Sequence, residues 1–80
     1  MLEIQFMPKA FYTRFEQLMD ENNIHGKTLC RALGVSGSTV SEWRNGRVMT
    51  TVNFFTICQY FNVSPSWLYG ITDKRSTYAE

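Results

Sequence analysis

Residues 27–46 read KTLCRALGVSGSTVSEWRNG, and this stretch decides the fold. Its apolar residues recur at helical spacing on both sides of Gly34, which predicts one helix at about Lys27–Leu33 and another at about Gly37–Arg44. Gly34 suits the turn between them because a residue without Cβ adopts a positive φ without steric cost. Ser36 is the expected N-cap of the later helix. The two helices lock at a steep angle when these side chains face inward: Leu29, Leu33, Val35, Val40 and Trp43.

The outward face of the later helix carries small and polar residues: Gly37, Ser38, Ser41, Glu42 and Asn45. None of them is a large apolar side chain, so this face is committed to solvent or to DNA. Two short helices joined by a glycine-containing turn resemble a helix-turn-helix, in which the second helix lies in the major groove of DNA.

Three further helices are predicted around this pair. The first covers about Pro8–Asn22. After the polar stretch Arg47–Thr51, a fourth helix shows the i, i+3, i+4, i+7 pattern of a buried face. A short fifth helix begins at Ser64-Pro65 and ends at Gly70. The expected inward residues are Phe11, Phe15 and Leu18 in the first helix and Phe54, Ile57, Cys58 and Phe61 in the fourth.

At the N-terminus Leu2, Ile4 and Phe6 alternate with polar residues, a period-two pattern that suggests a strand, although no second strand is evident. An arm that pairs across a dimer and an ordinary apolar extension lying against the helices both agree with this pattern. The expected fold is all-α, with an N-terminal arm in residues 1–7, a five-helix DNA-binding domain in residues 8–71 and a tail or linker in residues 72–80.

Charge is nearly balanced overall but uneven along the chain. The 80 residues carry a net charge of +1, far from the strongly basic balance of many DNA-binding domains. Residues 27–47, however, carry +3 and the rest of the chain −2. The charged residues of that stretch are Lys27, Arg31, Glu42, Arg44 and Arg47. Such asymmetry gives one face a positive field toward phosphate, although solvated surface charge alone produces the same tally.

Several classes of protein are disfavoured by the sequence. No apolar run approaches the ~20 residues of a membrane span, and the N-terminus lacks a signal peptide, so a cytoplasmic protein is expected. Cys30 and Cys58 fit neither a disulfide framework nor a zinc spacing, which predicts reduced core thiols. His25 is the only histidine and no catalytic set surrounds it. We therefore predict no enzyme, no cofactor, no metal and no small-molecule ligand.

Residues Phe11 to Ile71, about three-quarters of the chain, resemble the lambda repressor and Cro family of phage and bacterial regulators. The resemblance rests on the Leu-Gly-Val-Ser turn, the Thr-Val-Ser-Glu-Trp run, the Asn-Gly stop and the later Phe-Asn-Val-Ser-Pro-Ser-Trp-Leu-Tyr-Gly segment, in that order. It implies a compact five-helix domain that binds pseudo-palindromic double-stranded operators as a two-fold homodimer, usually to repress or switch promoters.

Base-reading positions carry over from this resemblance residue by residue. Ser38 and Glu42 stand where relatives place base-reading side chains, and Gly37 stands at another such position without a side chain. The hydroxyl groups of Ser38 and Ser41 suit several bases, whereas Glu42 favours the amino group of cytosine and repels phosphate. Part of the specificity is then expected from operator shape.

Contacts to the DNA backbone are implied at two places. Gly26, Lys27 and Thr28 open the second helix, where relatives hold phosphate with backbone amides and a polar side chain, at the partly positive end of a helix. Asn45 and Arg47 follow the recognition helix and resemble residues that bind the sugar-phosphate backbone.

Two departures from the family pattern have structural interpretations. Cys30 replaces the usual Ala and is expected to fill the core. Arg44 stands where relatives often carry Glu paired with a basic residue of the first helix. Because the first helix here is acidic, at Glu16, Asp20 and Glu21, we expect the same pair with its signs reversed, which makes Arg44 structural.

The aromatic residues exceed what so small a core can hold. Relatives dimerise through the C-terminal part, and Trp67, Leu68, Tyr69 and Ile71 cluster closely enough to predict a dimer surface there. Phe55 and Tyr60 are interpreted as isolated exposed aromatics.

Three other interpretations remain open from the sequence. An antitoxin or a restriction-modification controller shares the same domain. A protein-interaction module that has lost DNA binding explains the near-neutral charge and Gly37. The chain also fits the operator-binding half of a longer repressor, whose second domain supplies dimerisation or a response to induction.

Overall fold

A computed structural model describes residues 3–4 and 7–75. The expected all-α class is confirmed, because these residues form five helices and one pair of two-residue strands. The helices are α1 (Lys9–Glu21), α2 (Gly26–Leu33), α3 (Thr39–Arg44), α4 (Thr51–Phe61) and α5 (Pro65–Tyr69). The strands are β1 (Glu3–Ile4) and β2 (Met49–Thr50).

Most helix ends follow from local chemistry. Gly34 closes α2 with a φ of 74°, as its missing Cβ predicts. Asn62 closes α4 in the same left-handed region, which Asn tolerates better than most residues. At the start of α4 the hydroxyl of Thr50 accepts a hydrogen bond from the N–H of Asn53 at 3.1 Å.

The start of α3 differs from the prediction. The helix begins at Thr39 rather than near Gly37, and Ser36 is not its N-cap. Instead, the N–H of Thr39 donates to the carbonyl of Ser36 at 3.0 Å, and the two hydroxyl groups lie 2.8 Å apart. Residues 37 and 38 therefore form a tight turn ahead of a six-residue helix.

The N-terminal strand has a partner that the sequence conceals. β1 pairs antiparallel with β2, placing Glu3 opposite Thr50 and Ile4 opposite Met49. β2 lies inside the stretch expected to be a polar connection, where its one buried side chain is Met49. The predicted strand thus pairs within its own chain, while Leu2 and Phe6 fall outside the described residues.

The core forms where α1 meets the other helices. Phe11 and Phe15 stack with centroids 5.4 Å apart, and the edge of Trp43 approaches Phe15 at 6.4 Å. Cys30 and Cys58 are buried free thiols, as predicted. Burial raises the pKa of Cys58 to about 11, because a thiolate is poorly solvated in the core.

Residues 72–75, which we call the C-terminal strap, are bound to the domain although a tail or linker was expected there. Arg14 donates to the carbonyls of Trp67 and Thr72 and pairs with Asp73 at 3.2 Å. The carbonyl of Arg75 accepts from the N–H of Ser64 at 2.7 Å. Both guanidinium groups lie over the Trp67 ring, at 4.9 Å for Arg14 and 5.1 Å for Arg75.

Gly70 is required for steric reasons at the end of α5. Its φ is +98°, and a Cβ added there would lie 2.7 Å from the Cβ of Ala10. We expect Gly70→Ala to lower the free energy of unfolding by about 3 kcal/mol. Gly34→Ala is the matched control, because its φ is also positive but no described atom lies within 4 Å of the added Cβ; about 1–2 kcal/mol is expected there. Urea unfolding measures both, and equal losses would contradict the steric account.

The strap also predicts a pH dependence. Hydrogen bonds from Arg75 and Gln17 lower the pKa of Glu21 from 4.5 to about 2. A depressed pKa in the folded state stabilises the fold above about pH 4.5, and this contribution is lost as the pH falls toward 2. The stability difference between wild type and Glu21→Gln should therefore shrink over that interval. Arg75→Gln removes the main hydrogen-bond donor and should behave alike; a difference that is constant with pH in urea unfolding would refute this.

Candidate nucleic-acid interface

The inner side of α3 is fixed by two buried side chains. Val40 is 1% exposed and Trp43 is 4% exposed. Their burial turns the opposite side of the helix outward, where Ser41 and Glu42 are exposed, and Ser38 is exposed directly before the helix. Three of the four residues predicted to read bases thus share one exposed polar face.

Ser38 and Glu42 form a pair on this face. They are one turn apart, and the Ser38 hydroxyl donates to the Glu42 carboxylate at 3.4 Å. At this distance the hydrogen bond is weak, and both side chains are exposed. The Glu42 carboxylate thus remains accessible to a hydrogen-bond donor such as the amino group of cytosine.

Gly37, the fourth predicted base-reading residue, is exposed beside Ser38. Its φ lies outside the left-handed region, and a Cβ added there meets no described atom within 4 Å. Neither backbone conformation nor packing therefore requires glycine at this position.

The start of α2 lies against α3. A Cβ built on Gly26 would be 3.5 Å from Cγ1 of Val40, so the beginning of α2 packs against the first turn of α3. The first hydrogen bond of α2 runs from the N–H of Leu29 to His25 at 3.0 Å, which leaves the N–H groups of residues 26–28 outside the helical bonding. Lys27 and Thr28 are exposed. The structure thus packs the start of α2 against the inner side of α3 and leaves Lys27 and Thr28 open to solvent.

Asn45 and Arg47 follow α3 and differ in how available their side-chain donors are to a phosphate. The side-chain amide of Asn45 donates to the carbonyl of Ser41 at 2.9 Å, so one of its donors already closes the helix end. The N–H of Arg47 donates to the carbonyl of Glu42 at 3.0 Å, while the Arg47 side chain is exposed. Arg47 is therefore the more available of the two to a phosphate.

The expected ion pair of reversed sign between α3 and α1 is present. Nε of Arg44 lies 2.6 Å from the Glu16 carboxylate, and its Nη2 donates to the other carboxylate oxygen at 3.0 Å. Nη2 also lies 3.4 Å from the sulfur of Met19. This two-point contact orients α3 on α1 and engages the guanidinium with protein groups.

The prediction of a dimer surface is corrected, because most of the residues expected to form it are not exposed. Trp67 and Leu68 are 6% and 0% exposed, so both belong to the core of the protomer. Tyr69 is half-buried with its ring 6.1 Å from that of Phe54, and only Ile71 of the predicted four is fully open, at 75%.

Val48, Val52 and Phe55 are further exposed apolar side chains. The exposure of Phe55 was predicted from the sequence, whereas that of the two valines was not. Residues 48–72 contain no charged side chain and no histidine, although the exposed Arg47 directly precedes Val48.

Two classes of site are absent from the part of the chain that the structure describes. No group of three or more His, Cys, Asp and Glu side chains is placed to hold a metal ion. No helix in residues 7–75 is long and apolar enough to cross a membrane.

Comparisons with known proteins agree with this geometry. Residues 14–74 match the family model of the Cro/C1-type HTH DNA-binding domain. The HTH-type transcriptional regulator PrtR of Pseudomonas aeruginosa is 34% identical over 64 residues, which are 80% of this chain and 25% of that protein. The chain thus spans about a quarter of the length of this curated relative. No solved structure matches this chain.

The ion pair between α3 and α1 predicts a modest coupling energy. Arg44 and Glu16 are 42% and 44% exposed, so a double-mutant cycle with Arg44→Ala and Glu16→Ala should give about 0.2–1 kcal/mol in urea unfolding. If Arg44 acts only through Glu16 and Met19, the two single variants lower DNA affinity by similar small factors. A much larger loss for Arg44→Ala in a binding titration would show that Arg44 contacts DNA.

Proposed function

The chain belongs to the Cro/C1-type HTH DNA-binding domain family, and we propose that it is a phage- or prophage-type transcriptional repressor. In this proposal it binds double-stranded operator DNA as a homodimer and reads the major groove with α3. Its domain comprises residues 8–71, to which the C-terminal strap is bound.

The observation that carries the proposal is the division of α3 into a fixed side and an uncommitted side. Burial of Val40 and Trp43 attaches the helix to the core, and the Arg44–Glu16 pair adds a contact to α1. The exposed side carries only small and polar groups, and these groups are not part of the apolar core of the protomer. A short helix with a polar outer face suits the major groove, which admits one helix.

Each proposed contact has a chemical reason. Glu42, beside Ser38, accepts from the amino group of cytosine, and the Ser41 hydroxyl bonds a neighbouring base edge. The N–H groups of residues 26–28 and the ammonium of Lys27 bind a phosphate at the start of α2. Arg47 binds the next phosphate, with the remaining amide donor of Asn45 beside it.

The near-neutral charge limits the electrostatic part of binding. Because Arg44 is paired with Glu16, the exposed cations between residues 27 and 47 that remain for phosphate are Lys27, Arg31 and Arg47. Three phosphate contacts per protomer, six in the homodimer, give a slope of log affinity against log salt of roughly −5.4. Specificity therefore depends more on base contacts and operator shape than on net charge.

The proposal is tested by titrating the protein against its own upstream DNA and a random duplex of equal length, at two salt concentrations. We expect selective binding by the wild type and loss of that selectivity in the Ser38→Ala, Glu42→Ala double variant. Lys27→Ala should weaken binding to both duplexes and make the salt slope less steep by about 2, because each protomer of the homodimer loses one contact. Lys9→Ala removes an equal charge from an exposed site on α1 and should change neither.

Equal affinity for both duplexes, or no binding to either, would refute the repressor proposal and favour a protein-interaction module. Selective binding to an operator beside a toxin or a methyltransferase gene would instead identify an antitoxin or a restriction-modification controller.

A further inference from the structure

The backbone of Arg47 is held on its N-terminal side by the end of α3. Gly46 has a φ of +88°, and its N–H donates to the carbonyl of Trp43 at 3.1 Å. The N–H of Arg47 donates to the carbonyl of Glu42 at 3.0 Å. These two hydrogen bonds, with a left-handed glycine between them and the helix, form a Schellman motif. The path of the chain out of α3 is therefore fixed as far as the amide of Arg47.

On its C-terminal side, Arg47 is one residue away from β2. The exposed Val48 separates it from Met49, the first residue of β2, whose side chain is buried. The next residue, Thr50, is the N-cap of α4. The strand pair therefore holds the chain on this side, and its grip begins two residues beyond Arg47.

The other half of that grip comes from the N-terminus of the chain. In the antiparallel pair Ile4 lies opposite Met49, and side chains of opposite residues share one face of a strand pair. Ile4 is half-buried and packs against the same core as Met49. Two residues do not form a strand on their own. The conformation of residues 49–50 therefore depends on β1.

We propose that β1 is a positioning element for the DNA contact of Arg47, and that Ile4 is its positioning residue. By pairing with β2, it fixes the backbone from which the guanidinium of Arg47 reaches a phosphate. This inference rests on the proposed function, in which Arg47 binds phosphate, and it requires no contact between β1 and DNA. When β1 is detached, residues 47–49 become ordered only on binding, and the entropy that they lose lowers the affinity.

The variant that detaches β1 is Ile4→Asn. It leaves the charge of the protein unchanged and replaces a β-branched apolar side chain with a polar one that is disfavoured in strands. Ile4→Val is the conservative control and should bind DNA as wild type does. Phe61→Leu controls for a general loss of stability, because Phe61 is half-buried on the same core but lies about 15 Å from β2, at the other end of α4. Thermal unfolding shows that each variant is folded at the temperature of the assay.

The experiment is a double-mutant cycle of Ile4→Asn with Arg47→Ala, measured by titration against the duplex that wild type prefers. Arg47→Ala should lower the affinity about tenfold and make the salt slope less steep by about 2, because each protomer loses one phosphate contact. Ile4→Asn should lower the affinity about threefold and change the salt slope in the same direction. It should cause no further loss in the Arg47→Ala background, but the full loss in the Lys27→Ala background.

Selectivity between duplexes should be the same in Ile4→Asn and wild type, because α3 has its own attachment to the core. A loss that persists in the Arg47→Ala background would show that β1 acts on binding by another route, and the proposal would be wrong. Wild-type affinity in Ile4→Asn, or an equal loss in Phe61→Leu, would also overturn it.

A measurement without DNA separates this inference from the proposed function. In ¹⁵N relaxation, the backbone order parameters of residues 47 and 48 should fall in Ile4→Asn from about 0.85 toward 0.6, while those of residues 41–44 stay unchanged. Unchanged order at residues 47 and 48 would overturn the positioning role, whatever the protein binds. Absence of selective DNA binding in the wild type refutes the proposed function instead, and the relaxation data still decide whether β1 fixes this part of the backbone.

Discussion

The burial of Val40 and Trp43 is the constraint on which the arrangement depends. A helix of six residues is not stable on its own, because nucleation of a helix is unfavourable and few hydrogen bonds follow. α3 therefore exists because its inner side is packed against α1 and the start of α2. The same packing orients its outer side, and the ion pair between Arg44 and Glu16 adds a second attachment. The packing of the core and the orientation of the exposed polar face thus depend on one short element.

Much of the fold could be predicted because its determinants are local. Gly34 and Asn62 end helices through their own backbone preferences, and the inward spacing of Phe11 and Phe15 is legible along the chain. The period-two pattern at the N-terminus predicted a strand, but its pairing could not be predicted, because β2 is two residues long and forms only when distant segments meet. The shortened start of α3 likewise depends on the turn at Ser36 and Thr39 rather than on composition.

Part of the candidate interface could also be predicted from the sequence, because its determinants are local. Outward polar residues follow from the inward ones, and the pairing of Arg44 with α1 follows from the pair implied by the family resemblance together with the acidic residues of α1. The burial of Trp67 could not be predicted, because the side chains that cover its ring come from elsewhere in the sequence. Arg14 lies 53 residues before Trp67 and Arg75 lies 8 residues after it. A helix of five residues is too short for periodicity to separate its buried side from its exposed side.

Gly37 has a consequence for how such a protein changes over generations. Single-nucleotide changes in a glycine codon yield alanine, valine, arginine, serine or an acidic residue, depending on the codon. A Cβ added at Gly37 meets no described atom within 4 Å, so a change to alanine does not disturb the core. In the proposed mode of binding, such a change alters the face turned to the bases, and selection can act on it without first restoring a damaged fold.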